Sequence, residues 1–325
     1  MQTHAIRIHA HGGPEQLRWE QLPLPRPAAG EVLLRQTAIG LNYIDTYHRS
    51  GLYPVPLPSG LGSEGAGEVL DVGDGVRDLR AGDRVAYASG PLGAYAEART
   101  MPAAQLVKLP DGIDDQSAAS MMLQGMTVEY LIRRTYAVQR GDTVLLHAAA
   151  GGVGLLASQW LKHLGATVIG TAGGEAKSAL ARAHGCDHVI DYRREDVAAR
   201  VRELTDGKGV PVVYDGVGRD TFAGSLASLA PRGLLVSFGN ASGAVEPFAP
   251  GVLAAKGSLY LTRPRLGDYI VTREELLASA AALFAVVQSG AVKIAIGQRY
   301  ALRDAAQAHR DLEARKTTGA TVLLP

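Results

Sequence analysis

The chain has 325 residues, of which 46% are apolar and 20% charged, and a formal net charge of +1. That balance gives no electrostatic footprint for nucleic acid or an anionic membrane surface, and there is no run of about 18 apolar residues to span a bilayer. The single cysteine, Cys186, excludes an intrachain disulfide and any multi-cysteine metal site.

The length exceeds the roughly 250–300 residues at which one core tends to split, so two domains are expected. The first residues, MQTHAIRIHAHGG, lack the apolar core of a signal peptide, and a cytoplasmic protein without a membrane partner is the expectation.

From Met1 to about Gly125 the pattern is one of short strands and turns. Strands are expected at 3–8, 31–39, 65–72, 84–88 and 94–100, separated by Gly, Pro and Asp clusters. This block reads as a mainly β domain of the barrel kind. Within it, Asn42-Tyr43-Ile44-Asp45-Thr46-Tyr47 gathers polar and aromatic groups after a strand. Tyr53-Pro54-Val55-Pro56-Leu57-Pro58 is too rich in proline for a helix or a central strand. Gly62-Ser63-Glu64 is a loop that could bring a carboxylate near a site. From spacing alone, a solvated loop with tyrosines packed on the barrel explains these residues equally well.

A helix over 115–137 leads into the stretch around which the second half is organised. Thr143 to His147 is a β-favouring run. Ala148-Ala149-Ala150-Gly151-Gly152-Val153-Gly154 breaks it, and Leu155, Leu156, Gln159, Trp160 and Leu161 resume at helical spacing. Strand, small-residue turn and helix is the context of a dinucleotide fingerprint, here Ala148-x-x-Gly151-x-x-Gly154. Ala150, Gly151, Gly152, Val153 and Gly154 are therefore read as cradling a pyrophosphate at a helix N-terminus. Strands at 167–171, 188–191, 212–215, 234–238 and 258–262 then alternate with helices at 175–184, 195–205 and 222–229. A doubly wound parallel sheet is expected. A long helix at 272–289 and a helix near 304–315 precede the end of the chain.

The end of the strand after the fingerprint reads Gly170-Thr171-Ala172-Gly173-Gly174, without the acid that usually holds the ribose hydroxyls of NAD. Lys177 and Tyr192 flank the same position and suit a 2′-phosphate, so NADPH is expected, with Glu175 as a possible displaced ribose ligand. Ligands bind beyond the carboxyl ends of such strands. That nominates Asp215-Gly216-Val217-Gly218 and Phe238-Gly239-Asn240-Ala241-Ser242, with Val217 and Ala241 among the cofactor contacts.

Gly141-Asp142, Leu145, Ala149-Ala150-Gly151-Gly152-x-Gly154, Gln159 and Lys162 resemble the signature of the zeta-crystallin-like quinone oxidoreductases of the medium-chain dehydrogenase/reductase superfamily. Asn42 to Tyr47, Arg49 to Tyr53 and Val236 to Asn240 extend the resemblance to the bacterial branch. The resemblance implies a GroES-like catalytic domain over 1–125, rejoined by about 267–325, and a Rossmann NADP-binding domain over 126–266. It also implies a homodimer that pairs through the strand at 258–262.

By the same resemblance, Asn42, Tyr130, Gly152, Val153, Gly173, Lys177, Tyr192, Phe238, Gly239, Asn240 and Arg315 match cofactor-contacting positions, and Arg263 and Arg265 lie near the nicotinamide loop. Gly174, next to Gly173, is a cofactor-binding candidate that the family pattern does not require. Tyr47, Tyr53 and Thr127 match positions lining the acceptor cleft between the domains, Thr127 within reach of the cofactor too. The zinc alcohol dehydrogenases have a cysteine ligand where this chain has Asn42 and Gly-His-Glu where it has Gly62-Ser63-Glu64. No metal is therefore expected.

The implied activity is zinc-independent reduction of a quinone by NADPH. Asn42, Tyr47 and Tyr53 would be catalytic, donating hydrogen bonds to the oxygen that gains negative charge. His48 and His147 are candidate acids by residue type alone. Reduction of an activated alkene, or a non-catalytic NADPH-binding role of crystallin or RNA-binding kind, are the alternatives.

Overall fold

The computed structural model describes all residues from Met1 to Pro325. Its strands and helices, in chain order, begin with β1 (Gln2–Ile8), β2 (Arg18–Pro23), β3 (Glu31–Leu41), α1 (Tyr43–Ser50), β4 (Ser59–Gly60), β5 (Glu64–Val72), β6 (Arg84–Ala88), β7 (Ala98–Pro102), β8 (Val107–Lys108) and α2 (Asp115–Tyr130). The alternating part comprises β9 (Thr143–Leu146), α3 (Gly152–Leu164), β10 (Thr167–Ala172), α4 (Glu175–Ala183), β11 (His188–Asp191), α5 (Val197–Leu204), β12 (Val210–Asp215), α6 (Phe222–Ser228), β13 (Leu229–Ser237), α7 (Gly251–Ala255) and β14 (Tyr260–Thr262). The chain closes with α8 (Arg273–Gln288), β15 (Ile296–Ala301), α9 (Ala305–Glu313) and β16 (Ala320–Leu324).

Two units result. One consists of Met1–Met126, Ile270–Gln288 and Ile296–Pro325, the other of Thr127–Tyr269 and Ser289–Ala295. Ser289–Ala295 falls within the stretch read as rejoining the first domain. It groups with the second unit, where the Gln159 side chain exchanges two hydrogen bonds with the Lys293 backbone.

In the first unit, β15, β16, β3, β5, β6 and β8 follow one another in a sheet to which β7 adds by pairing β3, and β2, β1 and β4 form a second sheet. Ile6, Leu34, Ile39, Leu61, Tyr87, Tyr95 and Leu323 are among its core residues. Alternation along β1 and β3 supplies the inward side chains, as an antiparallel sheet with one buried face requires.

In the second unit all six strands are parallel, in the order β11-β10-β9-β12-β13-β14. The chain reverses its direction of winding between β9 and β12. Their carboxyl ends therefore open the crevice in which such sheets take ligands. Leu145, Ile169, Val213 and Leu235 are wholly buried between the helix layers.

Two local readings change. Residues 43–50 form α1, a helix that the polar composition had hidden. It starts at Asn42, has Asp45 at its third position, and ends at Gly51 in the left-handed region (φ 84°). The helix read as 115–137 stops at Tyr130 and passes into a wider turn over Leu131–Thr135.

Candidate functional site

In the second unit β9 ends at Leu146 and the backbone turns sharply. Ala148 adopts φ 54°, which few residues other than glycine take up. Its N–H is held by Thr171 Oγ1 at 3.2 Å, and the Ala149 N–H by the Thr171 carbonyl at 2.9 Å. Gly151 precedes α3 without a capping side chain, leaving the first helical N–H groups available to an anion. A Cβ on Gly154 would lie 2.3 Å from the Ala148 carbonyl oxygen, so only glycine lets α3 pack this close to the turn.

At the end of β10, a Cβ on Gly173 would meet the Tyr192 hydroxyl at 2.5 Å, so the phenol lies directly over this glycine. Gly174 has φ 89° and ψ 161°, and its N–H is held by Asp191 Oδ1 at 3.0 Å. Lys177 is half-buried in the first turn of α4. Glu175 is exposed and turned toward Arg182, at 3.4 Å, so it is a partner of its own helix. The sequence reading missed Arg193. Its guanidinium reaches within 3.4 Å of the place a Gly174 side chain would occupy, and the charge run Arg193-Arg194 was the available signal.

Beyond β12, Asp215 Oδ1 accepts the N–H groups of Val217 (2.8 Å) and Gly218 (3.0 Å), which fixes that turn. The turn after β13 approaches so closely that a Cβ on Gly239 would lie 2.3 Å from the Gly216 carbonyl oxygen. The Phe238 ring faces Gly216, and the Ala241 N–H reaches the Gly216 carbonyl at 3.3 Å. Arg263 donates to the carbonyls of Ser237 (2.8 Å) and Gly239 (3.1 Å), and the Asn240 amide oxygen accepts from the same guanidinium at 3.2 Å. Arg263 thus braces the Phe238–Asn240 loop, while Arg265 pairs with Asp268. Tyr130 stacks on Tyr269 with ring centres 4.2 Å apart, its hydroxyl bonded to Thr127 and its acidity suppressed by burial.

His147 belongs to the scaffold under these turns. The Ser225 hydroxyl donates to Asp215 Oδ2 (2.7 Å) and so accepts from His147 Nε2 (3.0 Å). His147 Nδ1 is left to accept from Thr171 Oγ1 at 3.1 Å. Burial holds this imidazole neutral. The chain of bonds joins the Ala148 turn to the Val217–Gly218 turn.

In the first unit, α1 and the residues flanking its two ends carry most of the other candidate residues. Its N-terminal N–H, from Asn42, is held by Asp45 Oδ2 at 2.9 Å. The Tyr47 and Tyr53 rings meet edge to face at 5.2 Å, and the Tyr53 N–H is held by the Tyr47 carbonyl at 3.1 Å. Arg315 lies far along the chain, exposed in the turn after α9, with φ 57°. His48 packs against Tyr53, and burial lowers its basicity.

Asn42 is locked on both sides. Its Nδ2 donates to Glu64 Oε2 at 2.6 Å and its Oδ1 accepts from Gln124 Nε2 at 3.2 Å. Glu64 is fully buried, and its Oε1 accepts the Leu123 N–H at 2.7 Å. Desolvation, with a smaller push from the Asp45 carboxylate, raises its pKa to about 8. Asp45 is also fully buried and raised to about 7 by desolvation. The Tyr95 hydroxyl donates to Asp45 Oδ2 (3.0 Å) and sits 3.1 Å from His309 Nε2. His309 Nδ1 lies 3.0 Å from Arg49, which also grips Glu313. Burial, and then Arg49, lower the His309 pKa to about 3. No group of three or more His, Cys, Asp or Glu side chains is arranged to hold a metal ion.

Two family models match the chain, the alcohol dehydrogenase GroES-like domain over residues 28–111 and the zinc-binding dehydrogenase domain over 152–281. A quinone oxidoreductase of Pseudomonas aeruginosa is 58% identical over 98% of this chain and 99% of its own. A 2-haloacrylate reductase of a Burkholderia species is 45% identical over 99% and 98%. The crystal structure of Escherichia coli quinone oxidoreductase complexed with NADPH superposes with a TM-score of 0.98 at 50% identity, over 99% of this chain and all of that one. Near-complete coverage at such identity leaves no part of the fold unaccounted for, and the chain belongs to the quinone oxidoreductases of the medium-chain dehydrogenase/reductase superfamily.

Proposed function

We propose that this protein reduces quinones with NADPH and without zinc. The observation that carries the cofactor choice is the end of β10. There the carboxylate at the Gly173-Gly174 corner, Asp191, is engaged by the Gly174 and Arg193 N–H groups, Tyr192 lies over the corner, Lys177 stands beside it, and Glu175 faces Arg182. That environment, with Lys177 and Tyr192 beside the corner and its carboxylates engaged by other groups, suits a 2′-phosphate. The quinone as acceptor rests on the near-complete match to quinone oxidoreductases.

The turns fit a dinucleotide. Ala150 to Gly154 would take the pyrophosphate against the start of α3. Gly173, Gly174, Lys177 and Tyr192 would take the adenosine end, and Arg315 would be a further cofactor contact. Thr127, Tyr130, Val217 and Phe238 to Ala241, braced by Arg263, would take the nicotinamide end. When bound, NADPH supplies a hydride from its nicotinamide C4. The protein orients the acceptor, and Asn42, Tyr47 and Tyr53 stabilise the charge that grows on its oxygen. Zinc independence is supported by the Asn42 amide. Its oxygen is taken by Gln124 and its nitrogen by Glu64, in place of the soft ligands a catalytic zinc needs.

A homodimer and a cytoplasmic location belong to the same reading. β14 ends the six-stranded sheet, and Tyr260 on it is 61% exposed, a surface suited to a second copy of this strand. Cys186 is a free buried thiol, which agrees with a reducing compartment.

The test is NADPH oxidation with 1,4-benzoquinone and with 2-cyclohexenone, repeated with NADH and with a chelator. Fast, NADPH-selective, chelator-insensitive quinone turnover is expected. Turnover of the enone alone would move the protein to the alkene reductases, the reading that its 45% identity to a 2-haloacrylate reductase favours second. NADPH binding without either reaction would leave a non-catalytic role.

A further inference from the structure

We infer that Glu64 is a positioning residue that sets which way round the Asn42 amide sits, so that one proton gained or lost at Glu64 reverses every hydrogen bond from Glu64 through Asn42 to Gln124. The functional consequence rests on the reading of Asn42 as a contact for cofactor and acceptor. The reversal itself does not.

The three side chains form a closed line. Glu64, Asn42 and Gln124 are 0%, 9% and 8% exposed. At the far end, Glu64 Oε1 accepts the Leu123 N–H at 2.7 Å, a backbone donor that cannot turn round. At the near end, Oε2 accepts from Asn42 Nδ2 at 2.6 Å, and Asn42 Oδ1 accepts from Gln124 Nε2 at 3.2 Å. Space for the carboxyl comes from Gly40, where any Cβ would lie 2.2 Å from both Glu64 Oε2 and the Ala119 carbonyl oxygen.

In this arrangement both Glu64 oxygens accept, as an ionised carboxylate does. Hydrogen bonds from Asn42 and from the Leu123 and Met122 N–H groups favour the charge, and burial outweighs them. Asp45 on α1 repels it, and the Tyr87 and Tyr95 hydroxyls, from β6 and the stretch before β7, lie in the same buried field. Arg99 stands over the Tyr87 ring, its guanidinium carbon 5.6 Å from the ring centre, and acts on that phenol. Burial and Asp45 hold the carboxyl up to about 8, so near neutrality it carries a proton.

Oε1 is occupied by a fixed donor, so the O–H forms on Oε2 and points at Asn42, which presents a donor there. Rotating the Asn42 amide by half a turn relieves the clash, because Oδ1 then accepts from Glu64 and Nδ2 faces Gln124. Gln124 rotates in turn and accepts through Oε1. Amide rotation of this kind keeps side-chain shape and exchanges only donor for acceptor. The Asn42 backbone stays where Asp45 holds it. The second N–H of Asn42, the one not used within the line, moves from the Glu64 side of the amide to the Gln124 side. Asn42 therefore offers its donor in two different directions above and below the titration of Glu64.

Glu64→Gln locks the protonated arrangement, since Oε1 still accepts from Leu123 and Nε2 donates to Asn42. The test compares wild type and E64Q, each with NADPH bound, from pH 6 to pH 10. Side-chain amide resonances of the 15N-asparagine-labelled protein and the infrared C=O stretch of protonated carboxyls are followed. In the wild type the Asn42 amide signal and one carboxyl band should titrate together, and in E64Q both changes should be gone. The quinone kcat/KM should lose the matching inflection in E64Q while kcat below it changes by less than about threefold. An Asn42 signal that is flat in wild type, or that titrates equally in E64Q, overturns the inference. The wild-type spectra decide it even if E64Q does not fold. Loss of quinone turnover with the coupled titration intact would count against the proposed activity alone.

Discussion

Glu64→Gln also makes a stability prediction that needs no ligand. Glu64 is raised from 4.5 to about 8 and Asp45 from 3.8 to about 7 in the folded protein. Each is an acid with a raised folded pKa. Its contribution is therefore fully present below the unfolded pKa and lost as pH rises through the folded one. Between the two values the folded chain holds a proton that the unfolded chain has released, and each such proton lowers the unfolding free energy by about 1.4 kcal/mol per pH unit. His309 acts oppositely. Lowered from 6.5 to about 3, it stays neutral where the unfolded chain is protonated, so its contribution rises with pH up to about 6.5 and then stops changing. From pH 6.5 to 7.5 the carboxyls therefore dominate, and wild-type stability should fall. E64Q removes one proton from this account. Relative to wild type it should gain about 1.4 kcal/mol per pH unit over pH 5.5–7.5, or roughly 3 kcal/mol across the range. Urea unfolding at constant ionic strength measures this, with m values as the check on cooperativity. Of the two tryptophans, Trp19 lies in the first unit and Trp160 in the second, so a Trp160→Phe background isolates the unit that holds Glu64. Parallel stability curves for E64Q and its parent would refute the argument.

Gly154→Ala puts a Cβ 2.3 Å from the Ala148 carbonyl oxygen. The turn must open, and NADPH affinity by fluorescence titration should weaken by about tenfold or more, at least about 1.4 kcal/mol. An unchanged Kd would contradict the assigned cradle. Tyr95→Phe removes a buried hydroxyl bonded to Asp45 and within 3.1 Å of His309. It should cost about 2–4 kcal/mol because both partners lose their bond without water to replace it. Tyr300→Phe, which loses one half-buried contact to Asp311, should cost under about 1 kcal/mol. Equal losses in the urea midpoints of the two variants would argue against the buried network. Lys177→Ala should raise the KM for NADPH and leave that for NADH unchanged. Glu175→Gln should alter neither, since that carboxylate faces Arg182. A rise in both KM values for Lys177→Ala would rule out a 2′-phosphate role.

What could be read from the chain is what local backbone chemistry dictates. The apolar runs of β9, β10, β12 and β13, and the Ala- and Gly-rich stretch from Ala148 to Gly154, announce a parallel sheet with a turn that admits a phosphate, and at Gly154 the close approach of the Ala148 carbonyl leaves no room for a side chain. α1 carried its own signal as well. Asn42 before the helix, Asp45 three residues on and Gly51 at the end are the marks of helix termini. They were outweighed by a polar, aromatic composition that resembles a loop. What lay outside reach is pairing across the chain. Asp45, Tyr95 and His309 are brought together over separations of 50 and 214 residues, and no period or spacing encodes that.

The same network shows why the missing part matters. Two carboxyls and one imidazole are buried around one tyrosine and one asparagine, and burial drives all three toward their neutral forms. A sequence reader sees two acids and a base and expects ion pairs. Desolvation instead makes each a neutral hydrogen-bonding group whose donor and acceptor ends are fixed by its neighbours. Near neutrality, the direction in which Asn42 points its donor depends on a proton it never carries.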